Sequence, residues 1–224
     1  IIFKINLLVI TLFTTSAQAT SSFVDSFSVA PQENNPQGIA FNNDGTKMFV
    51  LGTDGDDVNE YTLSTGFDVS TALFVDSFSV AAQEPNPQGI AFNNDGTKMF
   101  VVGFDGDDVN EYALTTGFDV STASFVDSFS VTAQETLPQG IAFNNDGTKM
   151  FVIGGAGDDV NEYALTTGFD VSTASFVDSF SVAAQETFPT AVAFNNDGTK
   201  MFVMGFDGDD VNEYTLSTGF DVST

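Results

Sequence analysis

An all-β repeat fold, a β-propeller of four-stranded antiparallel blades, follows from three features of the chain. The decapeptide FNNDGTKMFV stands unchanged at residues 41–50, 92–101, 143–152 and 194–203, so one unit of 51 residues is written four times. Each unit holds four short runs rich in Phe, Val, Ile, Tyr or Thr and bounded by Gly, Pro, Asn or Asp, as strands are. No unit shows a helical period, and four strands in about fifty residues without a helix make one propeller blade.

The chain begins before the repeats. Lys4 precedes an apolar run over residues 5–13, interrupted by Asn6 and Thr11, and small and polar residues lead to Ala17-Gln18-Ala19. That order of charge, apolar run and small residues predicts a signal peptide over residues 1–19 and a repeat domain over residues 20–224. The run is too short to span a bilayer, so a secreted protein, extracellular or periplasmic, is expected. Ile1 is not a starting residue, which implies a chain clipped at its N-terminus.

Within the domain the units frame as 23–73, 74–124, 125–175 and 176–224, the last two residues short. Strands are expected in the first at residues 23–29, 38–41, 47–51 and 58–63. Asn42-Asn43-Asp44-Gly45-Thr46 predicts a tight hairpin, because Asp and Gly accept the positive φ angles of primed or bulged turns. Met48-Phe49-Val50-Leu51 is apolar without alternation, as a strand covered on both faces would be. Residues 23–29 alternate, with Phe27 and Val29 opposite Ser26 and Ser28, which suits a half-exposed outer strand.

Pro36-Gln37-Gly38-Ile39-Ala40-Phe41, followed by Asp44-Gly45-Thr46-Lys47-Met48-Phe49-Val50 and Val58-Asn59-Glu60-Tyr61-Thr62-Leu63, resembles the blade of the YVTN and lactonase-like secreted β-propellers. The resemblance covers residues 23–224 and implies the fold. It does not choose among the enzymes, surface-layer proteins and binding modules of that superfamily. Here Asn-Asp-Gly stands where those blades commonly carry Pro-Asp-Gly, and the turn chemistry is kept. The ends suggest two arrangements. The chain starts on an outer strand and ends after a third strand, so the first strand would pair with the last blade and close a four-bladed monomeric ring; otherwise the four blades are part of a larger ring.

Composition narrows the chemistry. The 31 acidic residues face five Lys and no Arg or His, a net charge of −26, which repels phosphate backbones and anionic headgroups. Nucleic acid is therefore not an expected partner, nor is a membrane span; a protein or carbohydrate ligand is. The lack of Cys removes disulfides and thiolate chemistry, and the lack of His removes the imidazole base of most triads. No catalytic residue is assigned and an enzyme is not the first expectation. Paired carboxylates remain for glycosidase chemistry, but adjacent Asp in every blade lack the unlike environments that would split their pKa values.

Blade geometry sorts the loops onto two faces. The hairpin at residues 42–46 shares one face with residues 64–72, and the other face carries the acidic turns together with residues 30–36. The acidic turns hold Asp54, Asp56 and Asp57; Asp105, Asp107 and Asp108; Asp158 and Asp159; and Asp207, Asp209 and Asp210. The copies differ there, with Asn34-Asn35, Pro85-Asn86, Thr136-Leu137 and Thr187-Phe188 at matching positions. Variation over a fixed scaffold marks this face for binding, against the plainer reading of drift in exposed loops. Clustered carboxylates on a Gly turn suit calcium as the one candidate cofactor, although the spacing matches neither an EF-hand nor a run of nonapeptide repeats; solvated turns are the alternative. The leading expectation is a secreted acidic binding, adhesion or scaffolding module. A calcium-dependent hydrolase or lactonase of the propeller class and a structural surface-layer element are the others.

Overall fold

The computed structural model describes residues 22–224, so the leader assigned to residues 1–19 lies outside the described residues. Three blades are four-stranded antiparallel sheets. The first contains β1 (Pro36–Phe41), β2 (Lys47–Gly52), β3 (Asp57–Leu63) and β4 (Ala72–Ser79), paired in that order. The second contains β5 (Pro87–Phe92), β6 (Lys98–Gly103), β7 (Asp108–Leu114) and β8 (Ala123–Ser130). The third contains β9 (Pro138–Phe143), β10 (Lys149–Gly154), β11 (Asp159–Leu165) and β12 (Ala174–Ser181). The fourth has three strands, β13 (Pro189–Phe194), β14 (Lys200–Gly205) and β15 (Val211–Thr215). The only helical pieces among the described residues are single 3₁₀ turns such as Val69–Thr71, capped by Asp68, whose carboxylate accepts from Ser70 N.

The hairpin of the repeated decapeptide forms as its residues require. Gly45 takes φ +70°, and the Asp44 carboxylate accepts from Thr46 N at 3.0 Å and Thr46 Oγ1 at 2.6 Å. Asp44 stays out of the left-handed region, which two unexpected positions enter instead: Asp56 and Phe67, at φ 48° and 59°. The Phe67 ring lies where a Cβ on Gly45 would stand, so this glycine is needed for both its angle and its missing side chain.

The second strand of each blade is covered on both faces. Phe49 and Leu51 of β2 pack with Met99 and Val101 of β6, while Met48 and Val50 face the other way. The phenyl-rich composition becomes a trio of rings between neighbouring blades at the hairpin end: Phe49 lies 4.5 Å from Phe92 and 6.2 Å from Phe118, and the latter two are 5.5 Å apart. The trio recurs as Phe100, Phe143 and Phe169, and again as Phe151, Phe194 and Phe220. Such tilted and offset-stacked pairs contribute about 0.5–1.5 kcal/mol each beyond burial.

A polar stitch runs beside each trio. Lys47 Nζ pairs with Glu60 at 2.7 Å and donates to Phe118 O of the next blade at 2.6 Å. The other Glu60 oxygen accepts from Val120 N at 3.0 Å. The one Lys of each of the first three units thus offsets a buried carboxylate, and both bind the following blade.

Of the two arrangements the ends suggested, closure of the fourth blade by the first strand does not occur. Residues 22–29 form no strand, and the fourth sheet keeps three strands. Phe27 sits edge-on to Tyr61 at 5.5 Å, in the geometry of Phe78 on Tyr112. The segment therefore occupies the place of an outer strand from a preceding blade, beside the first blade and away from β15. Alternation drew residues 23–29 as a strand, yet a strand needs a hydrogen-bonding neighbour, and among the described residues this segment has no inner strands beside it as β4 has. The four blades make an arc whose two end faces are uncovered among the described residues. Ile39 is 61% exposed, whereas Ile90 is 9%; Val211 is 66% exposed, whereas Val109 is fully buried.

Candidate functional site

The loop sorting expected from blade geometry is realised. Thr53 N donates to Asn35 O at 3.2 Å, tying the turn after β2 to the segment before β1, and Phe67 N donates to Gly45 O at the opposite end. The acidic turns and the varying segments therefore share one face.

A residue that sequence reasoning overlooked organises that face. Glu84 is fully buried, and its carboxylate accepts from Asn86 N at 2.9 Å, Asp105 N at 3.1 Å and Gly106 N at 3.2 Å. Glu135 and Glu186 do the same in their blades, while Glu33 accepts from Asn35 N and Asp54 N through Oε1 alone and its buried Oε2 has no partner. Burial alone would push the Glu186 carboxyl up; the N–H groups of Phe188, Gly208 and Asp207 more than offset this and hold it below the ordinary glutamate value. In the last three blades the turn's inward-pointing amides are thus occupied by a carboxylate of the same blade.

The aspartates of the turns take separate places. Asp57 Oδ1 accepts from Asn59 Nδ2 at 2.6 Å, and Asp159 and Asp210 repeat this with Asn161 and Asn212. Burial pushes the Asp57 and Asp159 carboxyls up. Asp56, Asp107, Asp158 and Asp209 sit in the left-handed region; Asp56 O, Asp107 O and Asp158 O accept the first amide after each outer strand, that of Val80, Val131 and Val182. Asp207 Oδ2 accepts from Thr187 Oγ1 at 2.7 Å. Asp54, Asp105 and Asp207 lead their turns, and Asp108 opens β7 as Asp57 opens β3. Among the described residues no three carboxylates gather in a group that would hold a metal ion. Of these side chains, Asp57, Asp159 and Asp210 are paired with Asn and Asp207 with Thr187, whereas the buried Oδ1 atoms of Asp56, Asp107 and Asp158 have no hydrogen-bond partner.

The structure instead gathers the varying positions around the inner strands. A hollow of about 520 Å³ is lined by Asn35, Gln37, Thr53, Asn86, Gln88, Phe104, Gln139, Phe188, Thr190 and Phe206, with Ala191 and Met204. Asn35, Asn86 and Phe188 belong to the segments read as variable. Thr53, Phe104 and Phe206, at the first position after the second strand, went unnoticed, although that position differs between copies too.

One amide in this hollow is out of balance. Gln37 Nε2 donates to Asn35 Oδ1 at 3.2 Å, and Gln88 Nε2 to Asn86 Oδ1 at 2.8 Å. In the third blade the matching residue is Leu137, and Nε2 of Gln139 has no hydrogen-bond partner although the residue is only 9% exposed. Leaving such a buried donor unpaired costs roughly 1–3 kcal/mol.

With this geometry in hand, the class of fold is plain: an arc of β-propeller blades with a groove of amides and phenyl rings at one mouth. Solved structures share it. A protein from Lactobacillus plantarum matches with TM-score 0.60 and 16% identity, over 80% of this chain and 50% of that one. A putative 6-phosphogluconolactonase from Bacteroides fragilis matches with TM-score 0.59 and 14% identity over the same shares, 80% and 50%. The periplasmic gluconolactonase of Pseudomonas aeruginosa matches with TM-score 0.54 and 17% identity, over 80% and 49%. At these identities the likeness is one of fold, and it includes lactonase-like propellers, as the repeat residues implied. The chain spans about half the length of the solved structures it matches. No protein-family model matches the sequence, and no curated protein does.

Proposed function

We propose that the protein is a binding module, acting outside the cytoplasm, whose ligand is a neutral carbohydrate held at the mouth between the inner strands. The orphaned Nε2 of Gln139 carries this reading: a ligand hydroxyl there would supply the acceptor that Leu137 took away. Phe104, Phe188 and Phe206 offer apolar ring faces, and Asn35 and Gln88 offer paired amide donors and acceptors. A net charge of −26 disfavours anionic ligands. The leader pattern of the first nineteen residues supports export.

The test is titration calorimetry with a panel of neutral soluble oligosaccharides, with and without millimolar calcium. Binding by at least one glycan, lost in Phe188→Ala and weakened severalfold in Gln139→Leu, is the expected result. Gln139→Leu should leave the free protein as stable or slightly more so, because it removes an unpaired donor. Failure of the whole panel, or binding unchanged in both variants, would overturn the reading.

Lactone hydrolysis is the second reading, favoured by the fold neighbours named as lactonases. Against it, the residues lining the mouth include no carboxylate, imidazole or thiol to activate water. Turnover of gluconolactone above the uncatalysed rate, abolished in mouth variants, would favour hydrolysis over binding.

A further inference from the structure

Aspartate is followed by glycine seven times in the chain, at Asp44, Asp95, Asp146 and Asp197 in the hairpins and at Asp54, Asp105 and Asp207 in the acidic turns. We propose that Asp54 is a site of spontaneous covalent modification, where the Gly55 amide cyclises onto the Asp54 carboxyl and water reopens the ring to isoaspartate.

The reaction needs a backbone nitrogen that is free to attack. Glycine allows it best, because no side chain crowds the approach and the backbone can turn to bring the nitrogen to the carboxyl carbon. Seven dipeptides of the same chemistry are therefore told apart by what holds them, and the fold holds six.

In the four hairpins the glycine N–H donates to the carbonyl of the Asn three residues earlier, as Gly45 does to Asn42 O at 3.1 Å. The aspartate is held as well. Its carboxylate accepts from the hydroxyl and the amide of the Thr two residues on, which favours the ionised form over the acid that reacts. In the acidic turns of the second and fourth blades the guard is the buried glutamate. Gly106 N donates to Glu84 Oε2 at 3.2 Å, and Gly208 N to Glu186 Oε2 at 2.9 Å. The third blade keeps this bond, from Gly157 to Glu135, behind Ala156, which has no carboxyl to react.

The first blade lacks the bond from both sides. Gly55 N makes no hydrogen bond among the described residues, and Oε2 of Glu33 has no partner although Glu33 is only 1% exposed. The Glu33 carboxylate is also set back from the turn: Asp54 N lies 3.3 Å from Oε1, against 3.1 Å at the matching place in each of the other blades. Asp54 and Gly55 are both exposed.

The chemistry balances without a further reactant. Gly55 N bonds to Asp54 Cγ, the amide proton and the carboxyl hydroxyl leave as water, and a cyclic succinimide remains. Water then adds to one of its two carbonyls. Opening at Cγ restores aspartate, and opening at the backbone carbonyl leaves the chain running through the side-chain carboxyl, longer by one carbon. The lengthened turn adjoins Thr53, whose Oγ1 accepts from Asn35 Nδ2 at 2.6 Å beside the mouth.

The test is to hold the unsubstituted chain in warm neutral buffer for several weeks and map isoaspartate by peptide mass spectrometry with electron-transfer fragmentation, which distinguishes the two linkages. Isoaspartate should build up at Asp54 severalfold faster than at any of the other six aspartates, whereas in urea, where the fold no longer holds them, all seven should react alike. Glu84→Gln should quicken Asp105 severalfold and leave the hairpins unchanged: the amides of Asn86 and Asp105 take its single oxygen, so its NH2 faces Gly106 N, donor to donor. The proposal is overturned if Asp54 is no faster than Asp105 and Asp207 in the folded chain, or if it leads by the same margin in urea. It is overturned too if Asp105 stays slow in a Glu84→Gln chain that keeps the native circular dichroism; should that variant not fold, the ranking in the unsubstituted chain decides.

Discussion

The second and fourth blades carry nearly the same residues in different surroundings. Phe100 and Phe202, Val109 and Val211, and Glu111 and Glu213 occupy matching positions, yet Glu111 is 2% exposed and Glu213 50%. An inner blade is sealed on both faces, whereas the fourth is sealed on one. Blade sequence thus specifies an interface with two halves, and what a given side chain contributes depends on whether the second half is present. In a solenoid-like array, stability is the sum of units and of the contacts between neighbours, so an end unit is missing a whole neighbour term.

The largest test of this contrast removes a ring. Phe100→Ala should destabilise by roughly 3–5 kcal/mol at any protein concentration, because it opens a cavity in a sealed interface. Phe202→Ala should cost far less, because Phe202 is only partly buried. Chemical denaturation of the two variants beside the unsubstituted chain separates them. Equal losses for both variants would break the comparison.

A smaller test concerns the stitch. Glu111→Gln leaves Lys98 facing Phe169 O without its carboxylate, and should cost on the order of 2 kcal/mol, under the roughly 3–5 of a fully buried pair because Lys98 keeps some water. Glu213→Gln removes an exposed pair and should cost less than about 1 kcal/mol. The measurement is the same denaturation series, read as midpoint at constant slope.

What could be read from the sequence was local. The hairpin was legible because the side chains of Asn42 and Asp44 and the amides of Gly45 and Thr46 find their hydrogen-bond partners within six residues. The burial of Met48 to Leu51 was legible because an unbroken apolar run has no solvent face to offer. Residues 23–29 misled, since they repeat the alternation of residues 74–80 while the partner that makes the latter a strand, β3, has no equivalent beside them. Glu33 and its counterparts were missed because a carboxylate in a varying loop reads as solvated. The available signal was that Gln-Glu stays fixed in all four copies while its neighbours change. The mouth could not be assembled in advance, because Asn35, Phe104 and Gln139 meet only through the curvature of the arc.

Acid provides the finest comparison, between the two ends of a single blade. At the hairpin end, Asp44, Asp95, Asp146 and Asp197 are held below the ordinary aspartate value of 3.8 by the hydroxyl and then the amide of the Thr two residues on. A carboxyl with a lowered folded pKa contributes stability that is complete above its unfolded value and lost as pH falls through its folded one. At the other end, burial raises Asp57 and Asp159, so the folded state binds their protons more readily and gains from acidification down to about the unfolded value. Falling pH should therefore bring a shallow change while pH stays above 3.8 and a steeper loss of Tm below it. Asp95→Asn should flatten the loss below 3.8, and Asp159→Asn should remove part of the opposing gain above it. Because Asp95 and Asp197 have the same exposed turn, their Asn variants should match each other whether the blade is inner or terminal; a difference between them would mean that the hairpins, too, respond to the missing neighbour.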